Sequence, residues 1–179
     1  MFGMPQSLRA FCSFGRYHDI EVEDDVTAYL EYASGMTGVW ICSTGEAPGT
    51  NRLEVVGERG KLVYENDQLR FTRNEMPMSE FSRTTEHSFA APEKWDVTIP
   101  CSGHGGQHLA IMKNFVEAIV EGKPLIAPAA EGIYSVELAN AMLLSGSRQE
   151  TVSMPLDSAA YETWLQDKIT HSRHQPSKS

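Results

Sequence analysis

The chain has 179 residues, of which 41% are hydrophobic and 22% are charged, as expected for one domain with a single core. Its formal net charge is −9 and its basic residues are scattered, which argues against a nucleic-acid partner because such binding neutralises phosphates. No stretch approaches the roughly 18 uninterrupted apolar residues of a membrane span, and no signal peptide begins the sequence. We therefore expect a cytoplasmic protein with no membrane partner, folded as one domain over residues 1–171 with a disordered tail at 172–179.

Three cysteines, Cys12, Cys42 and Cys101, are odd in number and widely spaced. This pattern indicates reduced thiols in buried positions rather than a disulfide framework. An acidic run occupies residues 21–25. A cation site is one interpretation of that run, but clustered charge of this kind is more often a solvated start of a strand.

The first part of the chain reads as strands joined by tight turns. Glycine in the turn at 33–35, the hairpin at 57–60 and the Asn-Asp pair at 66–67 all tolerate left-handed backbone angles, which predicts an antiparallel meander. A further strand is predicted at 94–99 and ends before Pro100. Residues 74–92 have mixed composition and weak periodicity, so a long loop is predicted there.

The predicted strand at 36–44 is apolar on both faces. Val39 and Ile41 point to one side, while Trp40 and Cys42 point to the other. In a sheet with one face in water, apolar and polar residues alternate more cleanly along each strand. Both faces of this strand are therefore expected to be covered by other elements. The second cover comes from helices, from a partner chain, or from both.

Three helices follow, at about 105–121, 131–148 and 159–171. The first carries one apolar stripe and ends at Gly122, a residue suited to a left-handed C-cap, with Pro124 blocking continuation. The second is apolar nearly all round and is therefore expected to be the buried helix.

Several segments in this order resemble the C-terminal part of one enzyme family. They are Glu-Asp-Asp-Val-Thr-Ala at 23–28, the glycine hairpin at 56–62, Asn-Phe-Val-Glu-Ala-Ile at 114–119, Gly-Lys-Pro-Leu-Ile-Ala-Pro at 122–128 and Pro-Leu-Asp at 155–157. Each alone is common, but their order is similar to that of the glucose-fructose oxidoreductase, inositol dehydrogenase and rhizopine-catabolism (Gfo/Idh/MocA) family. The resemblance covers nearly the whole chain.

This resemblance implies an α+β fold: a large, predominantly antiparallel open sheet with helices packed on one face. It also implies a full-length parent that binds NAD or NADP on an N-terminal Rossmann domain. Such a parent oxidises or reduces a hydroxyl or ketone of a sugar, inositol or related polyol. Family members commonly associate through the sheet, so the resemblance further implies a homo-oligomer formed through the open sheet face.

The chain departs from the full-length family pattern in its cofactor and catalytic motifs. It has no Gly-x-Gly-x-x-Gly between a strand and a helix, and the glycines at 103–106 have the wrong spacing. The family's Glu-Lys-Pro lysine has no counterpart, and Asp167 with His171 matches its Asp-x-x-x-His by letters only. We expect no cofactor and no catalytic residue in this chain alone, so whether it acts by itself as an enzyme stays open.

His104, Gln107 and His108 are the predicted substrate-binding residues, because they lie where the first long helix begins. Helix N-termini present free N–H groups, and His or Gln side chains there can hydrogen-bond hydroxylated ligands. In the family this end of the helix faces the cleft between the domains. The alternative interpretation is capping and loop packing.

Two further functions remain open. The chain could be a stand-alone, non-catalytic binding or assembly module derived from the family. Alternatively, Cys101, His104 and His108 could ligate a metal, although a zinc site generally needs another ligand and no partner motif stands out.

Overall fold

The computed structural model describes residues 2–100 and 106–173. In chain order the elements are β1 (Ser7–Phe14), β2 (Glu23–Glu31), β3 (Thr37–Ser43), β4 (Arg52–Gly57), β5 (Gly60–Glu65), β6 (Gln68–Asn74), α1 (Met78–Thr84), β7 (Lys94–Ile99), α2 (Gln107–Glu121), α3 (Gly132–Arg148), β8 (Val152–Ser153) and α4 (Ser158–Thr170), with a 3-10 turn at Ala129–Glu131. They divide into two compact units. Unit 1 comprises Met1–Ala47 and Ala127–Ser179, and unit 2 comprises Pro48–Ile126.

Unit 1 contains an antiparallel sheet, sheet A, with the strand order β3-β2-β1-β8. Helix α3 packs against β1 and β2, and the core combines Leu8, Ala10, Ala28 and Leu30 with Ala141, Met142, Leu144 and Val152. Burying a leucine such as Leu8 or Leu144 contributes about 2 kcal/mol. The four buried residues of α3 all lie between Ala141 and Ser145, so the expectation of a buried helix holds for that part and not for its exposed first turns.

Small side chains set the distance between α3 and β1. A Cβ atom added to Gly146 would lie 2.4 Å from the Cys12 Sγ atom and 2.8 Å from its Cβ atom. Real Cβ atoms do not approach that closely, so glycine is required for α3 to sit where it does.

Asp24 corrects the expectation of a solvated acidic run. Its side chain is buried, with the residue 2% exposed. It accepts the backbone N–H groups of Arg16 at 3.1 Å, Tyr17 at 2.6 Å and His18 at 3.2 Å. Burial by itself would raise the pKa of this carboxyl, but the three backbone donors and the His18 side chain together hold its pKa below the ordinary value. The carboxylate therefore organises the turn that precedes β2.

Unit 2 contains a second antiparallel sheet, sheet B, with the strand order β4-β5-β6-β7. Strand pairing places Val55, Leu62, Phe71 and Val97 in one row across the sheet, and thus on one face. The other face carries an ion-pair network in which Arg52 bonds Glu65 at 2.8 Å and Lys61 contacts Glu54 at 3.2 Å. Sheet B therefore has one apolar face and one charged face.

The predicted α+β class with antiparallel pairing and C-terminal helices is confirmed. Within the described residues the strands are divided between two sheets of four strands each. The predicted left-handed turns are also present, with positive φ at Gly35, Asn66, Asp67 and Gly122. The predicted long loop instead contains helix α1, whose seven residues are too few to give a clear period. No helix in the described part of the chain is long and apolar enough to cross a membrane.

Candidate functional site

The first turn of α2 carries two of the three predicted substrate-binding residues. The helix begins at Gln107, whose φ of 43° lies in the left-handed region, and Gly106 occupies the N-cap. A Cβ atom on Gly106 would lie 2.4 Å from the Cβ atom of Ala110, so the chain can turn into the helix only because this residue is glycine. Among the residues that the structure describes, no side chain caps this end of α2. The first backbone N–H groups of α2, which have no partner within the helix, are therefore not bonded by a described side chain.

Gln107 and His108 are both exposed and adjacent at this turn. Neither side chain forms a hydrogen bond with any residue that the structure describes. The amide offers two donors and an acceptor, and the neutral imidazole offers one of each. The arrangement can therefore bind neighbouring hydroxyl groups, but it offers no activated nucleophile.

The other sequence-predicted positions have different outcomes. His104 and Cys101 lie outside the described residues. No group of three or more His, Cys, Asp or Glu residues is placed to hold a metal among the residues described. Asp167, in the last turn of α4, contacts the C-cap residue His171 at 3.2 Å, and both side chains are exposed.

Unit 1 also has a concave surface that the sequence did not reveal. A cavity of about 760 Å³ lies among α3, the segment before α4 and α4 itself, lined by Ile133, Val136, Asn140, Leu156 and Tyr161 among others. Its walls are mainly apolar. A polyol site needs several converging polar groups, so the candidate substrate site stays at the start of α2.

Within unit 1, no described helix or strand covers the face of sheet A opposite α3. Register places Tyr29 beside Val39 and Thr27 beside Ile41, on the face that Phe11 also shares. Val39 is 65% exposed and Ile41 is 69% exposed, and Phe11 and Tyr29 are exposed as well. We call Phe11, Tyr29, Val39 and Ile41 the open face. Trp40 and Cys42 lie on the opposite face, with Ala28 and Val26, and remain exposed at the sheet edge.

Comparison with known proteins gives one family match and many structural matches. The profile of the oxidoreductase family C-terminal alpha/beta domain (Gfo/Idh/MocA) matches residues 1–154. None of the curated proteins compared matches the sequence.

Three solved structures illustrate the structural likeness. Levoglucosan dehydrogenase in complex with NADH has a TM-score of 0.65 and 16% identity, covering 86% of this chain and 46% of that chain. Biliverdin reductase from Synechocystis sp. PCC 6803, in complex with biliverdin and NADP⁺, has a TM-score of 0.61 and 19% identity, covering 81% and 41%. UDP-N-acetylglucosamine 3-dehydrogenase from Acidithiobacillus ferrooxidans has a TM-score of 0.59 and 14% identity, covering 79% and 40%. At these identities the likeness shows the fold, and this chain spans less than half the length of each protein.

Proposed function

Because the chain belongs to the Gfo/Idh/MocA oxidoreductase family and corresponds to its C-terminal alpha/beta domain, we propose that it is the substrate-binding and oligomerisation part of an NAD(P)-dependent dehydrogenase. The proposed substrate is a sugar, inositol or related polyol. Two of the matched structures are named as dehydrogenases of sugar derivatives, levoglucosan and UDP-N-acetylglucosamine, which supports this substrate class.

The observation that carries the proposal is the exposed pair Gln107 and His108 at the start of α2, which no described side chain caps. Adjacent hydroxyl groups of a polyol need donors and acceptors a few ångströms apart, and this turn offers two side chains and several backbone N–H groups. We assign these groups to binding and orienting the substrate. His104 precedes them in the sequence and is proposed to complete the set.

The nicotinamide cofactor would supply or accept the hydride. The sequence has no glycine-rich turn that could approach a pyrophosphate, so we assign no cofactor-binding residue to this chain. The lysine and histidine that exchange the hydroxyl proton in the family also have no counterpart here. The role of this chain is therefore to hold the substrate while another domain provides the reaction.

The open face supports the oligomerisation part of the proposal. Four exposed apolar side chains on one side of a sheet form a patch of a kind that soluble monomers rarely leave in water. A two-fold dimer is the commonest arrangement that buries such a patch against its own copy. The partner proposed for the open face is therefore a second copy of this chain.

The test of substrate binding uses the longer polypeptide encoded when the reading frame is extended upstream. We expect it to oxidise a polyol from a panel of sugars and inositols with NAD⁺ or NADP⁺. His108→Ala should lower kcat/KM by about tenfold or more, the cost of a lost hydrogen bond to substrate. Asp167→Ala is the matched control, because its exposed pair with His171 on α4 should contribute little.

Equal and negligible effects of the two substitutions would remove His108 from the site. A longer polypeptide that neither binds a nicotinamide cofactor nor turns over any member of the panel would refute the dehydrogenase proposal. That outcome would favour the alternative, a non-catalytic binding or assembly module.

A further inference from the structure

Unit 1 contains a cavity that the proposed function does not use. Its volume of about 760 Å³ falls within the range of roughly 300–1,000 Å³ that is typical of small-molecule sites. Every residue that lines it belongs to unit 1, on α3 and the 3-10 turn before it, on the segment after β8, or on α4. One compact unit therefore supplies the whole lining. We call this space the α3–α4 cavity.

One wall of the α3–α4 cavity is apolar. Ile133 and Val136 lie about one turn apart on α3, and Leu156 faces the same space from the segment before α4. Contact with an apolar ligand would remove these side chains from water, which favours binding. The wall therefore suits a ligand with a hydrocarbon body.

Glu137 supplies the charge of the α3–α4 cavity. Among the described residues that line it, Glu137 is the only charged one. Its Oε1 atom accepts the backbone N–H of Leu156 at 2.8 Å, which fixes the side chain, whereas no described residue donates to its Oε2 atom. Asn140 lies one turn further along α3, and its amide has no hydrogen-bond partner in the described part of the chain. A carboxylate oxygen and an amide oxygen are therefore available to N–H donors of a ligand.

Tyr161 adds an aromatic side chain to the lining of the cavity. Its ring packs against that of Trp164, with the ring centroids 5.4 Å apart, and the Trp164 indole N–H donates to the Ser147 hydroxyl at 2.8 Å. These contacts hold the Tyr161 ring in place. A cation within about 6 Å of such a ring is attracted to its face.

Two helix starts border the cavity, and free helix N-termini attract anions. At α4, the Asp157 carboxylate accepts the N–H groups of Ala159 and Ala160, both at 3.0 Å, and so neutralises that end. At α3, the preceding 3-10 turn uses the N–H groups of Glu131 and Gly132. The charge distribution around the cavity therefore favours a cation.

We propose that the α3–α4 cavity binds a small organic cation that consists of an ammonium group on an apolar body. The ammonium group donates to the Oε2 atom of Glu137 and to the amide oxygen of Asn140. The apolar body lies against Ile133, Val136 and Leu156. The net charge of −9 favours the approach of a cation. This inference does not rest on the proposed function, because no residue of the cavity belongs to the substrate site at the start of α2.

The experiment compares three probes of similar shape with this chain at pH 7. They are phenethylamine, which is protonated, phenethyl alcohol, which is neutral, and phenylacetate, which is an anion. Calorimetric titration measures the dissociation constant of each probe. We expect the amine to bind about tenfold or more tightly than the alcohol, and phenylacetate to show no measurable binding, because a partly buried carboxylate attracts a cation and repels an anion.

Glu137→Gln tests the role of the charge. The variant keeps a side-chain oxygen that can accept the Leu156 N–H, so the fold should be retained. Its affinity for the amine should fall by about tenfold or more, to the level of the alcohol. Glu131→Gln is the matched control, because it removes the same charge from an exposed residue that does not line the cavity. Its affinity for the amine should change by less than about twofold.

Val136→Trp tests the position of the site without altering a charge. The larger side chain should occupy part of the cavity and weaken binding of the amine by about fivefold or more. Val56→Trp is its control, since Val56 lies in strand β4 of unit 2 and should leave binding unchanged. Circular dichroism checks that each variant is folded.

Several results would overturn the inference. They are an amine that shows no saturable binding up to about 10 mM, an amine that binds no more tightly than the alcohol, and preferential binding of phenylacetate. Wild-type affinity for the amine in Glu137→Gln or in Val136→Trp would also overturn it. If Glu137→Gln does not fold, the three probes on wild type and the Val136→Trp pair decide the question.

Discussion

Ser145 accepts a hydrogen bond from the backbone N–H of Ala10 at 2.9 Å, inside the core of unit 1. The same hydroxyl donates to the Glu150 carbonyl at 2.6 Å. Strand β8 pairs only with Ser7 and Leu8, so the N–H of Ala10 lies beyond the end of that pairing. The serine therefore replaces a missing strand partner.

Replacing Ser145 by alanine should destabilise unit 1. The substitution leaves the buried N–H of Ala10 without an acceptor, and an unsatisfied buried donor costs about 1–3 kcal/mol. Urea unfolding followed by circular dichroism measures the change. Ser135→Ala is the control, because the exposed Ser135 hydroxyl bonds only the carbonyl of Gly132 within its own helix. A loss no larger than that of the control would contradict the assigned role of Ser145.

Cys12 should react more slowly with iodoacetamide than Cys42. Burial, helped by the negative charges of Glu23 and Asp25, raises the pKa of the Cys12 thiol to about 11. Only the thiolate is nucleophilic, and Cys42 is exposed, so at pH 8 the rates should differ by about tenfold or more. The Cys12 rate should rise as the pH approaches 11.

Peptide mapping measures the alkylation of Cys12 and of Cys42 in one sample. In urea the two rates should converge, since burial is lost.

The raised pKa also means that the stability contributed by the protonated thiol is complete below pH 9.0 and is lost as the pH rises through about 11. Equal labelling of Cys12 and Cys42 in the folded protein would show that Cys12 is not shielded as described.

Asp24→Asn should destabilise the protein at pH 7 and lose this effect in acid. The folded pKa of Asp24 lies below its ordinary value of 3.8. The carboxylate therefore contributes stability that is fully present above pH 3.8 and is lost as the pH falls through the lower folded value. The urea midpoints of wild type and variant should converge as the pH is lowered.

Asp19→Asn provides the comparison, because Asp19 lies in the same turn region but is exposed. Its urea midpoint at pH 7 should stay close to that of wild type, because substitutions at exposed positions usually change stability little. A constant difference between Asp24→Asn and wild type down to acid pH would mean that the charge of Asp24 is not what organises the turn.

The chain should form a dimer at micromolar concentration, and Ile41→Lys should convert it to a monomer. Ile41 lies in β3, the edge strand of sheet A, so lysine there places a charge within the open face, and burying an unpaired charge in an interface is costly. Light scattering should then give a mass near the monomer value of 19.9 kDa for the variant and twice that for wild type.

Val56→Lys is the matched control for this substitution. Val56 is also an exposed valine in a strand, but strand pairing places it beside Lys61 on the charged face of sheet B. Its mass should equal that of wild type. A wild-type protein that is already monomeric would refute the assignment of the open face as an interface.

The local features of this fold could be predicted from sequence because neighbouring residues decide them. Left-handed angles at Asn66, Asp67 and Gly122 follow from the residue types themselves, and the 3.6-residue period fixes α2 whatever surrounds it. The family could be inferred in the same way, since the order of short motifs belongs to the chain alone. The position of Gln107 and His108 at a helix start also needed no tertiary information.

Other features were decided by contacts that the local sequence pattern does not reveal. Asp24 was expected in water, yet the backbone of Arg16, Tyr17 and His18 turns back to bury it. The sequence pattern shows that Val39 and Ile41 lie on one face of the strand and Trp40 and Cys42 on the other. It does not show which of the two faces another element covers. Helix α3 packs on one face of β1 and β2. Its Ser145 bonds Ala10, which is 135 positions away in the sequence. Whether a face is buried depends on the element that packs against it from another part of the chain. The periodicity of one strand carries no information about that element.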